Sequence, residues 1–159
     1  MAIPYRGNTG YSTYFITAST FQKEHLFQSK RMAQLLVTVL LHYRNEKKYL
    51  LHEFVVMPNH FHLLITPAES LERALQFIKG GFSYRAKKEL GLGGEIWEKS
   101  FYDHRVRDLG EYERCRDYIH RNPVKRGLVV RVEDYPWSSA ARFALDEVPQ
   151  RLKPVGFLL

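Results

Sequence analysis

The sequence predicts an α+β fold: an antiparallel sheet in a split β-α-β arrangement, with one further helix behind it. Three observations carry this. Short runs rich in aromatic and β-branched residues read as strands, and longer runs with apolar residues three and four apart read as helices. Their order is β-α-β-β-α-β plus a C-terminal helix. A chain of 159 residues, 45% hydrophobic and 14% aromatic, can bury one full core. We expect one domain over residues 1–159, with 132–159 as a C-terminal extension packed on it.

Tyr11 to Thr17 reads as the first strand. A helix follows, with Met32, Leu35, Leu36, Val39, Leu40 and Tyr43 at helical spacing. Leu50 to Met57 is the second strand, Pro58-Asn59 a turn, and His60 to Thr66 the returning third strand. So short a connection makes the pair an antiparallel hairpin. Ser70 caps the next helix, whose apolar stripe is Leu71, Leu75, Ile78, Phe82 and Ala86. Gly80-Gly81 in its middle would mark a kink or a close approach to another backbone. Phe101 to Arg107 is the fourth strand. Glu111 to Asn122 is a helix burying Tyr112, Cys115 and Ile119, and Pro123 should end it by disfavouring helical geometry in the residue before it. A short helix from Ser138 to Leu145 closes the chain. This order is that of a ferredoxin-like sheet, with the third strand central and beside the first.

Lys and Arg number 24 against 17 Asp and Glu, an excess that favours a polyanionic partner, most often nucleic acid. Between Arg121 and Arg131 the bases Arg121, Lys125, Arg126 and Arg131 meet no acid. No apolar run approaches the ~20 residues that span a bilayer, and Met1 to Gly10 has no signal-peptide core. The lone Cys115 suits a reducing compartment. We therefore expect a cytoplasmic protein with no membrane partner.

The most informative stretch is His60-Phe61-His62. Side chains alternate along a strand, so both imidazoles leave one face while Phe61 and Leu63 face the other way. Two parallel imidazoles on a rigid strand are half of a divalent-metal site. The late helix supplies candidates for the rest, because Tyr118 and Asn122, four apart, share one helix face. If that helix lies on the histidine face, Asn122 completes a set of two nitrogens and one oxygen, which suits Mg²⁺ or Mn²⁺ better than a closed zinc site. Tyr118 is then a nucleophile able to form a covalent phosphotyrosine, with a 3′-hydroxyl as the leaving group.

These residues resemble a known family. His60-Phe61-His62 is similar to the His-hydrophobic-His motif of the HUH endonucleases, and Tyr118 to their single catalytic tyrosine. The stretch from Tyr118 to Val129 (YIHRNPVKRGLV) looks like the signature of the REP-associated tyrosine transposases, relatives of the small single-strand insertion-sequence transposases. Met57-Pro58-Asn59-His60-Phe61-His62 and Tyr135-Pro136-Trp137-Ser138-Ser139 fit the same group. The resemblance implies a ferredoxin-like core and a divalent metal, Mg²⁺ or Mn²⁺. It also implies a metal-dependent endonuclease and strand transferase that cleaves single-stranded DNA beside REP-like palindromic hairpins through a 5′-phosphotyrosine. The third metal ligand is implied four residues after the tyrosine, where insertion-sequence relatives place Gln and this chain has Asn122, the REP-associated pattern. It further implies a bacterial, nucleoid-associated protein, a monomer rather than a dimer, with Tyr118 acting in cis. The alternatives are a catalytically silent hairpin-binding protein and an unrelated metal-dependent hydrolase in which Tyr118 is only core.

Lys79, Arg85, Arg105, Arg107, Lys125 and Arg126 are the candidate DNA contacts, a group able to track a phosphate backbone. Arg6 and the N-terminal segment form a possible basic arm. His120 reads as surface or phosphate-facing, His52 and His104 as neighbours of the metal ligands, and Glu53 and Asp103 as candidates for a second metal.

Overall fold

In the computed structural model the described residues are 12–141 and 143–153, so Arg6 and Tyr11 lie outside them. Strands β1 (Thr13–Ser19), β2 (Tyr49–Met57), β3 (His60–Pro67) and β4 (Tyr102–Val106) form one sheet in the order β2-β3-β1-β4. Every neighbouring pair is antiparallel. Helices α1 (Lys30–Asn45) and α2 (Leu71–Leu90) cover one face, and α3 (Leu109–Lys125) packs on the other. This is the expected ferredoxin-like sheet with β3 in the middle. The alternation of β3 explains the layering: Phe61, Leu63 and Ile65 enter the core under α1 and α2, while Leu64, next on the histidine side, enters the smaller core under α3.

The helices start and stop by local chemistry. Ser29, Ser70 and Asp108 each accept a backbone N–H from the first turn of α1, α2 and α3. α2 runs unbroken through Gly80-Gly81, so there is no kink there, and the close approach comes from a side chain rather than a backbone. A Cβ at position 81 would lie 2.7 Å from Tyr43 Cε2, whereas one at 80 meets nothing within 4 Å. Gly80→Ala should therefore gain up to ~1 kcal/mol of helix propensity. Gly81→Ala should fall ~1–3 kcal/mol below it through overpacking against Tyr43, a difference read by urea denaturation of the two variants.

α3 does not stop at Asn122. Pro123 is inside it and the helix continues to Lys125. A proline so near the end removes one N–H and leaves only a partial turn beyond it, so the penalty stays small. The end is closed by a Schellman arrangement. Gly127 (φ 75°) donates to the Val124 carbonyl at 3.0 Å, and the Leu128 N–H to the Pro123 carbonyl at 2.9 Å.

The predicted helix from Ser138 to Leu145 is absent among the described residues. That segment instead lies along the outer edge of β2. Val56 N–H donates to the Trp137 carbonyl (2.8 Å), Ser139 N–H to the Phe54 carbonyl (2.9 Å), and Phe54 N–H to Ser139 Oγ (2.9 Å). Unpaired strand groups outcompete the segment's weak helical preference, because a sheet edge left bare is costly.

Asp146 is the anchor of this tail. Its carboxylate accepts two bonds from Arg44 (2.9 and 3.1 Å) and one from the Leu51 N–H (2.9 Å), beside a bulge in β2 at His52. His52 Nδ1 must donate to the Asp146 carbonyl (3.0 Å), leaving Nε2 to accept from Thr66 (2.8 Å). Burial alone would raise the Asp146 carboxyl, but the Arg44 and Leu51 donors outweigh it and hold it below its ordinary 3.8. A depressed carboxylate stabilises the fold above its unfolded value and loses that contribution as pH falls through its folded one. Asp146→Asn should thus cost ~1–2 kcal/mol near pH 6. The gap in melting temperature from the parent should close as pH falls below about 4; a gap independent of pH would refute this.

Candidate active site

β3 and α3 build the site. In register, His60 pairs with Met57 on β2 and Ser19 on β1, and His62 pairs with Val55 and Thr17. The imidazoles stand side by side, ring centroids 4.8 Å apart. α3 crosses above them, with Tyr112 and Ile119 packed into the same small core as Val55, Met57 and Leu64. Tyr118 thereby lies edge-on over His62, centroids 5.2 Å apart, in the same chain, and it stays 44% exposed. Asn122, one turn on, is buried at 3% exposure. His60, His62 and Tyr118 are thus brought together by the two elements expected to carry them, and Asn122 is buried one turn along the same helix.

Neighbours fix each ring. His60 Nδ1 donates to the Asn59 side-chain oxygen at 2.7 Å, which leaves Nε2 with its lone pair free to face the site. His62 Nδ1 bonds Thr17 Oγ1 at 2.8 Å, and Phe15 stacks on the ring at 5.3 Å. Burial, then the charges of Arg126 and Lys23, push His60 down to about 4. Burial, then the neighbouring His60, push His62 to about 3. Both are neutral at pH 7, the form that ligates metals.

Two buried polar atoms point at one chemistry. His62 Nε2 and Asn122 Oδ1 have no hydrogen-bond partner among the described residues. Each such atom costs ~1–3 kcal/mol when left unmet, so native structures rarely keep them without a use. In the tautomer in which Nδ1 donates to Thr17, His62 Nε2 is an acceptor like the amide oxygen, and a cation satisfies two acceptors where a further acceptor does not. Among the described residues no three His, Cys, Asp or Glu side chains cluster to hold a metal. A cation here would therefore rely on the amide of Asn122 beside the two histidines, and the donor set fits one.

The remaining predicted residues are spread around this centre. Lys125 and Arg126 are exposed at the end of α3, and Arg126 is close enough for its charge to act on both histidines. Arg105 is exposed on β4 and Arg107 just after it. Lys79 and Arg85 lie on α2, across the sheet: Lys79 donates to the Glu98 carbonyl (2.8 Å) and Arg85 pairs with Glu89 (2.8 Å). His120 is part-buried. It bonds Glu53 at 2.7 Å, and Ser139 donates to the same carboxylate oxygen, so Glu53 locks α3 and the tail to β2. Asp103 pairs with Ile16 on the opposite sheet face, so it does not meet Glu53. His52 is committed to Asp146 and Thr66, and His104 to Glu111 (3.4 Å), with neither bonded to His60 or His62.

Sequence reasoning missed Phe15, Thr17, Asn59, Lys23 and Tyr102. Phe15 and Thr17 alternate on the histidine side of β1, but only the β1–β3 register reveals their partners. Tyr102, exposed on β4 opposite Thr17, is on that face too. Asn122 had a legible signal beyond its distance from Tyr118. Positions 112, 115, 119 and 122 form one helical line, so an amide occupies the next slot of an apolar stripe.

A strand-borne histidine pair beneath a helix-borne tyrosine on a ferredoxin-like sheet is the arrangement that the sequence resemblance leads us to expect. Residues 10–122 match the family described as "Transposase IS200 like", and the chain belongs to that family. Its relatives narrow the group. The REP-associated tyrosine transposase of Escherichia coli (strain K12) is 28% identical over 157 residues, covering 92% of this chain and 89% of that protein. A solved REP-associated tyrosine transposase bound to a REP hairpin matches with a TM-score of 0.70 at 25% identity, over 98% of this chain and 96% of that one. A Deinococcus radiodurans protein of known crystal structure shares the fold, with a TM-score of 0.53 at 21% identity over 74% of this chain and 95% of its own. The chain is thus similar to REP-associated tyrosine transposases over nearly its whole length. No helix among the described residues is long and apolar enough to cross a membrane.

Proposed function

We propose that this transposase is a metal-dependent nickase and strand transferase for single-stranded DNA beside a hairpin, with Tyr118 as nucleophile in cis. The observation that carries this reading is the placement of Tyr118 over His62 while two buried acceptors, His62 Nε2 and Asn122 Oδ1, lack partners among the described residues. Mg²⁺ or Mn²⁺ held by His60, His62 and Asn122 would supply Lewis-acid polarisation of the scissile phosphate.

The chain's own groups do the rest. Tyr118 Oη attacks phosphorus as its proton passes to solvent. The phosphorus–O3′ bond breaks, the departing 3′ oxygen gains a proton, and the 5′ phosphate stays on the tyrosine. A later 3′-hydroxyl reverses the step and joins strands, so no external energy source is needed. Asn59 holds His60 in the tautomer whose Nε2 lone pair faces the site, while the Thr17 hydrogen bond and the Phe15 stack fix the ring plane of His62. Arg126 and Lys125 would lead the phosphate backbone in, whereas Arg105 pairs with Tyr14 and so lies on the sheet face away from the histidines. The hairpin carried by the solved relative supports a hairpin partner here.

The test is incubation of a labelled hairpin bearing single-stranded flanks with Mg²⁺ or Mn²⁺, followed by denaturing electrophoresis. A covalent protein–DNA species that requires the metal supports the reading. Hairpin binding indifferent to metal, with no adduct under any condition, would turn the protein into a silent hairpin binder.

A further inference from the structure

The turn after β1 carries a cation that the reaction as described does not use. Gln22 and Lys23 both adopt left-handed backbone, at φ 53° and 57°, a conformation costing roughly 1–2 kcal/mol for each L-residue. The surroundings hold it in place. Gln22 N–H donates to Glu98 at 2.7 Å, Lys23 N–H to the Thr20 carbonyl at 3.0 Å, and Thr20 Oγ1 to the Glu24 carbonyl at 2.7 Å. Strain kept up this way clusters at functional sites.

The turn is coupled to the histidines. Asn59 Nδ2 reaches the Lys23 carbonyl at 3.5 Å while Asn59 Oδ1 accepts from His60, so one amide bridges turn and imidazole. The Lys23 side chain folds back along β1 to donate to Ser19 Oγ at 3.1 Å, and Ser19 is the register partner of His60. One of three ammonium donors is thereby spent and two remain. Among the described residues no carboxylate pairs with Lys23 or Arg126, yet both charges are near enough to act on His60. Two cations with no carboxylate partner among the described residues, beside buried neutral histidines, ask for an anion.

We propose that Lys23 binds a non-bridging oxygen of the scissile phosphodiester from the His60 side, jointly with Arg126, which makes the strained turn a phosphate-binding element. This rests on the reading of the site as one for DNA cleavage. Placed there, the ammonium meets charge as it builds on the phosphoryl oxygens.

Binding is measured by fluorescence anisotropy in the Tyr118→Phe background, for a bare hairpin and for the same hairpin with single-stranded flanks on both sides. The flanks should strengthen binding. Lys23→Met and Lys23→Gln should each remove about tenfold of that gain and lower the salt slope by about one. Bare-hairpin affinity should stay within about twofold, and Lys23→Arg should keep the gain. With Tyr118 restored, Lys23→Met should slow adduct formation by roughly 10–100-fold. Variants that melt like the parent and bind flanked DNA as tightly as it does overturn the proposal. Loss of the flank gain alongside a parent that forms no adduct would keep Lys23 as a phosphate contact and overturn the nickase reading instead.

Discussion

Tyr118→Phe is expected to lower covalent adduct formation by about 10⁴-fold or more, the scale on which removal of a nucleophile acts. Hairpin affinity and melting temperature should be almost unchanged. The ring contacts that Tyr118 makes, edge-on to His62 at 5.2 Å and to Phe15 at 5.8 Å, use its carbons and survive in phenylalanine. The side chain is also 44% exposed, so no buried donor is orphaned by losing the hydroxyl. A second exposed phenol on this face among the described residues, Tyr102, supplies the control: Tyr102→Phe should form the adduct as the parent does. An adduct from Tyr118→Phe at the parent's rate would remove this residue from the chemistry altogether.

Asn122→Leu should separate stability from metal binding. The amide oxygen is buried without a partner among the described residues, and leucine is of similar volume, so the metal-free variant should melt at or above the parent. Linkage then works in the opposite direction. A cation that binds only the folded parent adds ~2.7 kcal/mol at a hundredfold excess over its dissociation constant. For a chain of this size that is a rise of roughly 5–10 °C in melting temperature. Asn122→Leu should lose most of this rise on titration with Mn²⁺. Equal rises in both proteins would mean that Asn122 is not a ligand.

Much of this was legible from side-chain period alone. Two histidines at i and i+2 had to share a strand face, and Tyr118 and Asn122 at i and i+4 had to share a helix face. Only the packing of α3 onto β2 and β3 was needed to bring the pairs together. What the sequence hid depends on register and competition. Thr17 meets His62 because β1 pairs antiparallel with β3 in one alignment out of several, and local pattern does not choose among them. The segment after Ser138 lost its expected helix because β2 offered unpaired backbone groups, a fact about a neighbour some eighty residues earlier. Pro123 was read as a stop, but near a helix end the missing N–H costs little, and Gly127 closes the turn a few residues later. Lys23 was invisible because its backbone geometry has no signature in Gln-Lys.

The tail that runs along β2 has a consequence for crowding. With that margin occupied, the only bare strand margin among the described residues belongs to β4, at the other end of the sheet. A sheet with two bare margins can add copies indefinitely, whereas a sheet with one can join a single twin and then stop. Intermolecular strand pairing is therefore self-limiting here, and the segment from Trp137 to Asp146 is what keeps the sheet from growing into fibres.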